Sequence, residues 1–267
     1  MSKLVSIIMN CRNGDEFLKE SLNSVINQTY KNWELIFVDN ISTDRSKNIY
    51  TEYKDNRFKY FNTKKILNLG EARQFALSNC KGEYIAFLDT DDLWMKNKLE
   101  KQIPYFLNPK VGMVISNTIF FTKKNEKIFY RMDPPTGNVF SKILKKYFIS
   151  LETLICKKEF IDKISFTFDK EFTMISDLDL TLRLSKVSEL EYSPDILAKW
   201  RIHQNSETWK KTKIFFLERL KLYKKFKIDK KINNNISIEK SLEEFKNNTI
   251  YSYIFQQIEN KEKKKLH

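Results

Sequence analysis

Over the first hundred residues, short apolar runs alternate with stretches of helical spacing, and each run stops in a polar loop. Residues 4–9, 33–38, 58–61 and 83–88 read as strands of four to six residues. Between the first two, Phe17, Leu18, Leu22, Val25 and Ile26 recur at helical spacing, and residues 44–53 and 70–79 read as further helices. Strand–helix–strand repetition with short turns implies a parallel sheet covered on both faces by helices. In such sheets ligands bind where the carboxyl ends of the strands open into loops. Residues 10–14, 39–44 and 89–92 then fall on one edge.

Beyond residue 94 the pattern loosens. A helix is expected over 98–106, a strand or strand pair over 111–122, a helix near 139–147, a strand over 153–156 and a helix over 177–187, with 200–203 closing this half of the core. The break at 132–137 carries two of the five prolines side by side. From residue 207 the composition shifts: 16 Lys and Arg stand against 8 Asp and Glu, so +8 of the chain's +14 sits on its last 61 residues. The expected organisation is one α/β domain over 1–206, divided into halves 1–100 and 101–206, followed by a basic helical extension over 207–267 whose terminal lysines fray.

The densest chemistry is Asp89-Thr90-Asp91-Asp92, directly after the apolar run Tyr84-Ile85-Ala86-Phe87-Leu88. Three carboxylates within four residues repel one another unless a cation or a set of donors neutralises them. Oxygen ligands suit Mg²⁺ or Mn²⁺, and an ion that keeps open positions can bridge a diphosphate. The plainer alternative is a solvated acidic turn with Asp92 capping the next helix.

Taken together, the motifs resemble family 2 glycosyltransferases of the GT-A fold. Gly82 to Asp92 resembles their DxD segment, and Leu4 to Asn13 followed by Ser21 to Tyr30 resembles their first strand and helix. Val38-Asp39-Asn40-Ile41-Ser42-Thr43-Asp44 is similar to the V-D-D-G-S-T-D loop, and Asn68-Leu69-Gly70-Glu71-Ala72-Arg73-Gln74 to the N-x-G-x-A-R-N segment. The resemblance implies a Rossmann-like core that binds a nucleotide-sugar through Asn10, Arg12, Asp39, Asn40, Arg73, Asp89 and Thr90. It implies a divalent ion, Mn²⁺ or Mg²⁺, held by Asp91 with Asp89 or Asp92. Ser42 and Thr43 are expected to shape the turn and cap the helix.

Ser176-Asp177-Leu178-Asp179-Leu180 resembles the acceptor-side E-D-x-D-L segment, with serine in place of glutamate. Inverting transfer needs a base for the acceptor hydroxyl. Residue by residue the match names Asp177, leaving Asp179 to orient the helix or bind acceptor. Without the match, Asp177 reads as an N-terminal helix residue stabilised by the dipole. Trp200-Arg201-Ile202-His203-Gln204-Asn205-Ser206 resembles Y-R-x-H-x-x-S. It implies His203 as a metal or diphosphate ligand, Arg201 as counter-charge to the diphosphate, and Trp200, with Trp94, as walls of the acceptor pocket.

Two departures bear on the donor. Asn40 stands where the family carries a second aspartate; an amide donates as well as accepts, which loosens the assignment of uracil although UDP stays the expected nucleotide. Ile41 replaces a glycine, and because a β-branched residue disfavours positive φ, a turn of another shape is expected.

The implied activity is inverting transfer from a nucleotide-diphosphate sugar to a hydroxyl of a glycan or lipid-linked glycan. The alternatives are a catalytically inactive scaffold or membrane-binding module, kept open by Ser176, Asn40 and Ile41, and a nucleotidyltransferase, for which residues 10–14 offer a single glycine. The basic extension is read as a solvated helical pair on the core or as a dock for an anionic membrane. No nucleic acid is expected, since no recognition motif accompanies the charge. Cys11, Cys80 and Cys156, far apart and odd in number, fit a reducing cytoplasmic compartment, and no apolar stretch approaches a membrane span.

Overall fold

The computed structural model describes residues 2–164, 168–204, 206, 211–229 and 235–265, with side chains described up to residue 258. Asn205 and the first residues of the basic extension lie outside these. Strands β1 (Val5–Cys11), β2 (Trp33–Asp39), β3 (Phe58–Asn62) and β4 (Tyr84–Phe87) run parallel in the order β3-β2-β1-β4. All seven residues of β2 and all four of β4 are buried, because helices cover both faces.

The sheet continues as β8 (Ile155–Lys157), β6 (Val111–Phe121) and β9 (Glu189–Arg201) from the second half and then β5 (Leu93–Trp94), with β7 (Glu126–Ile128) hairpinned onto β6. Six strands share the direction of β1, while β5, β7 and β8 run against it. The sheet is thus mostly parallel, and all three reversed strands follow β4 in the chain.

Strand β9 is the largest element that periodicity misses. Its run contains Pro194 and alternates charge with apolar residues only briefly. The proline fits because the register steps from Ser116↔Ser193 to Asn117↔Ile196, leaving Pro194 and Asp195 in a bulge where no ladder donor is needed.

One face of the sheet packs α1 (Leu18–Ile26) and α2 (Ser46–Thr51) over Leu18, Leu22, Trp33 and Phe37. The other packs α3 (Leu69–Ser78), α5 (Phe140–Lys145) and α7 (Ser176–Leu184). Short helices α4 (Lys98–Gln102) and α6 (Lys158–Ile161) sit between strands. The basic extension forms α8 (Thr212–Lys227) and α9 (Ile236–Lys265), whose Leu222, Phe226, Leu242 and Phe245 are buried in the same core as α7. Helix α9 runs on to Lys265. Among the described residues no helix is long and apolar enough to cross a membrane, and all three cysteines are free.

Candidate active site

The three polar loops converge as their strands require. Asn40 N–H donates to Cys11 C=O at 2.8 Å, Asn13 N–H to Ser42 Oγ at 3.0 Å, and Thr43 N–H to Asn13 Oδ1 at 2.8 Å. Gly14 is needed for close approach, since a Cβ there would lie 2.8 Å from Thr90 Oγ1 of the acidic loop. Helix α1 holds that loop from beneath. Ser21 Oγ donates to the carbonyls of Thr90 at 2.8 Å and Asp92 at 2.7 Å, and Gln28 Nε2 donates to Met95 C=O at 2.8 Å.

Asp39 is 2% exposed; its Oδ2 accepts from Tyr60 OH at 2.7 Å and its Oδ1 from Ser42 N–H at 2.8 Å. Asn40 is engaged elsewhere. Its amide donates to Leu67 C=O at 2.8 Å and accepts from Leu67 N–H at 2.9 Å and Thr63 Oγ1 at 3.1 Å. A carboxylate could not make the first of these bonds, which accounts for the amide. Asn10, the last residue but one of β1, has a buried Oδ1 without a partner, and Arg12 just beyond the strand is exposed.

Ile41 corrects an expectation. It keeps the left-handed shape, at φ 57°, rather than adopting a different turn. The ladder of bonds between residues 11–13 and 40–43 fixes the loop from both sides, so the side chain bears a cost of about 1–2 kcal/mol.

At the acidic loop the carboxylates point to different partners. Asp91 Oδ2 lies 2.8 Å from His203 Nε2, and His203 Nδ1 is buried without a partner. Asp92 is 2% exposed, and its Oδ1 accepts the backbone N–H of Arg201 at 2.8 Å. Arg201 itself donates to Asp91 C=O at 2.8 Å and Glu20 at 2.7 Å, its guanidinium stacked between Phe17 and Phe121. Trp200 rests against Phe120, half-buried, and Trp94 is buried with its indole N–H on Glu152 C=O.

Arg73 joins the two halves. It is 4% exposed, donating to Ser176 Oγ at 2.8 Å and reaching Asp89 at 3.5 Å. Its helix is set by the motif around it. Asn68 and Glu71 form a reciprocal capping box, with bonds of 2.9 and 3.0 Å. Gly70 lets the Asp169–Phe172 segment lie on the helix, since a Cβ would sit 2.3 Å from Phe172 C=O. Ser176, replacing glutamate, thus accepts from Arg73 without adding another carboxylate.

Asp177 opens α7, half-buried, and its Oδ2 accepts from Tyr147 OH at 2.8 Å. Asp179 lies about 200° further round the helix, 3% exposed and bonded to Arg183 at 3.1 Å, so the two aspartates occupy different faces.

The potential here is strongly negative. Burial, then the charges of Asp91 and Asp177, push the Asp89 carboxyl above its usual range against the pull of Arg73. Burial, followed by Asp91, Glu152 and Asp89, pushes Asp92 well up. Burial also raises Glu152, which is 2% exposed, although Ser150 donates to both of its oxygens. The same burial pulls Lys98 down to about 7. A cluster of buried carboxyl groups whose charged forms are disfavoured calls for a cation. Among the described residues no group of three or more His, Cys, Asp and Glu side chains forms a metal cage. Asp91 and His203 still fit an octahedral ion: two neighbouring ligands at about 2.1 Å lie about 3 Å apart, near their 2.8 Å separation. Phosphate oxygens and water would complete such a shell.

Three contributors have no motif of their own: Tyr147, Glu152 and Glu218. Glu218 on α8, 8% exposed, accepts the backbone N–H groups of Thr173, Met174 and Ile175 at 2.9, 2.8 and 3.2 Å, immediately before α7. The Tyr147–Asp177 and Glu218–Thr173 contacts span 30 and 45 residues, so no local spacing announces them.

The sequence model of Glycosyl transferase family 2 matches residues 6–165, from β1 through the acidic loop and into the second half. The chain belongs to glycosyltransferase family 2. An Escherichia coli relative, the UDP-Glc:alpha-D-GlcNAc-diphosphoundecaprenol beta-1,3-glucosyltransferase WfgD, is 32% identical over 76% of this chain and 79% of its own. The putative teichuronic acid biosynthesis glycosyltransferase TuaG of Bacillus subtilis is 28% identical over 79% of this chain and 84% of its own. Among solved structures, residues 1–349 of S. aureus TarS with UDP-GlcNAc superpose with a TM-score of 0.67 at 19% identity, covering 81% of this chain and 65% of that one. The mannosyltransferase PcManGT of Pyrobaculum calidifontis, with GDP-Man and Mn²⁺, gives 0.63 at 17% identity, covering 82% and 64%. These likenesses give the glycosyltransferase the GT-A fold expected of its family.

Proposed function

We propose that this glycosyltransferase moves a hexose from a nucleotide-diphosphate donor, UDP first among the candidates, to a hydroxyl of a lipid-linked glycan, with inversion at the anomeric carbon. The observation that carries the reading is Asp177, hydrogen-bonded to Tyr147 and near enough to Asp89 for its charge to raise that carboxyl, while Arg73 bonds both Ser176 beside it and Asp89.

Asn10, Asp39 and Arg12 would receive the nucleoside. Asp39 takes the base contact, because Asn40 is committed to Leu67. The unpartnered Asn10 Oδ1 is then an acceptor awaiting a donor from the ligand. Asp89 and Thr90 would lie along the ribose and diphosphate. Asp91 with His203 would hold Mn²⁺ or Mg²⁺, which offsets the charge of the departing diphosphate. Asp177 takes the proton of the acceptor hydroxyl as that oxygen bonds to the anomeric carbon, and the carbon–oxygen bond to the diphosphate breaks on the opposite face. The names of WfgD and TuaG favour a surface-glycan acceptor, and that of WfgD a UDP-glucose donor.

Thermal-shift titration with UDP-, GDP- and dTDP-sugars, each with Mn²⁺, tests the donor. A ligand that binds only the folded state raises the midpoint with its concentration. A UDP-sugar should give the largest rise, reduced in Asp39→Ala and lost in Asp91→Ala. A larger rise with GDP- or dTDP-sugars would remove the UDP assignment. Formation of a glycosylated GlcNAc-diphosphate lipid from that donor tests the acceptor.

A further inference from the structure

The basic extension has two surfaces with different chemistry. Helices α8 and α9 run antiparallel: Phe216 stacks on Tyr253 at 4.1 Å, Arg219 Nε donates to Thr249 at 2.9 Å, and Tyr223 OH donates to Glu243 at 2.6 Å. One surface is finished, since Leu222, Phe226, Leu242 and Phe245 are each 6% exposed or less. The other is not. On α9, Tyr251, Ile254, Phe255 and Ile258 are 71, 50, 63 and 51% exposed. Their spacing of three, four and seven residues puts them on one stripe. Beside them on the first turns of α8, Ile214, Phe215 and Leu217 are 42, 37 and 52% exposed. Seven large apolar side chains at one end of a helical hairpin are more than scattered surface residues.

In the sequence, lysines flank the patch on both helices: Lys211 and Lys213 at the start of α8, and Lys261, Lys263, Lys264 and Lys265 after the stripe, with Glu259 and Glu262 among them. Its place in the fold is fixed by Glu218, which follows Leu217 and caps the segment before Asp177. The patch therefore lies at the end of the hairpin nearest the segment that leads into Asp177, the acceptor side of the proposed site.

We infer that this patch docks the enzyme on an anionic lipid bilayer, with Tyr251, Ile254, Phe255 and Ile258 entering the headgroup boundary and the flanking lysines meeting the lipid charge. Apolar area plus attraction to anionic headgroups is what binds such helices in the plane of a membrane. The charge decides against a second copy of the chain as occupant, because two extensions of +8 each would be brought face to face. The inference rests on the proposed function only for the reason a membrane should face that side of the cleft. Vesicle binding is measured without donor or acceptor, so either reading can fail while the other stands.

The test is co-sedimentation of the full chain with vesicles of phosphatidylcholine alone and with phosphatidylglycerol added. Binding is expected only to the anionic vesicles and should weaken with salt. The double variant Ile254→Glu, Phe255→Glu should lower the affinity by about tenfold or more while its unfolding midpoint and its thermal shift with nucleotide-sugar stay those of the wild type. Tyr251→Ala, a milder change at the most exposed position, should lower it less. Equal binding by wild type and both variants, or no binding to anionic vesicles, would overturn the inference. So would a wild-type dimer in solution that the double variant splits into monomers.

Discussion

The two halves of the candidate active site, the proposed donor side and acceptor side, are built by different means. On the donor side the loops after β1, β2 and β4 bond to one another and to α1 beneath them, through Asn13, Ser42, Ser21 and Gln28. Those residues stand within the same hundred, and most fall inside short motifs. On the acceptor side nothing is self-sufficient. Asp177 is oriented by Tyr147 from the loop after α5, Ser176 is bonded to Arg73 from α3, and the backbone before α7 is held by Glu218 from α8. The donor side is a local construction carried by short motifs, whereas the acceptor side is assembled from distant segments.

That contrast predicts which substitutions disturb which side. Asp91→Ala should have the largest effect: removing the carboxylate that meets His203 should cost transfer about 10³-fold and abolish the Mn²⁺-dependent thermal shift, leaving the metal-free midpoint nearly unchanged. Glu218→Gln should act on the other side alone. It replaces one of the two oxygens that receive three N–H groups, costing about 1.5–3 kcal/mol of stability and raising the acceptor KM, with donor affinity unchanged in a parallel titration. A matching loss of donor affinity would break the division between the halves.

A smaller effect concerns pH. Burial raises both Asp92 and Glu152. A carboxyl with a raised folded pKa binds its proton more readily folded than unfolded, so its contribution is full below about pH 4 and is lost as pH rises through the raised value. The ligand-free enzyme should therefore gain stability between pH 7.5 and 5 relative to Asp92→Asn, in which that share is absent. Thermal unfolding of both at the two pH values should show the wild-type advantage in acid shrinking by a few degrees in the variant. Smallest of all, Ile41→Gly relieves a β-branched residue at φ 57°, and should raise stability by under about 1 kcal/mol after the entropy cost of glycine is subtracted.

The same contrast explains what could be read from the residues alone. The presence of β1 to β4, their parallel run and the shared edge of the three loops follow from buried runs that end in polar turns. Strand β9 is hidden by Pro194, whose bulge only the partner strand β6 explains. The motifs name Asn40 and Ile41 but not their circumstances. The amide of Asn40 answers to Leu67, 27 residues away, and Ile41 is forced to positive φ by a neighbouring loop. Tyr147 and Glu218 carry no spacing signal, because their partners are backbone and side chain brought together only by the fold.

The central claim is that Asp177 belongs to the chemistry and the donor-side loops to binding. Donor affinity and single-turnover transfer measured side by side in Asp177→Asn test it most directly. The isosteric amide keeps the bond to Tyr147 but takes no proton, so transfer should fall by about 10²–10⁴-fold while the donor binds within about twofold of wild type. Transfer at the wild-type rate in Asp177→Asn would contradict the account.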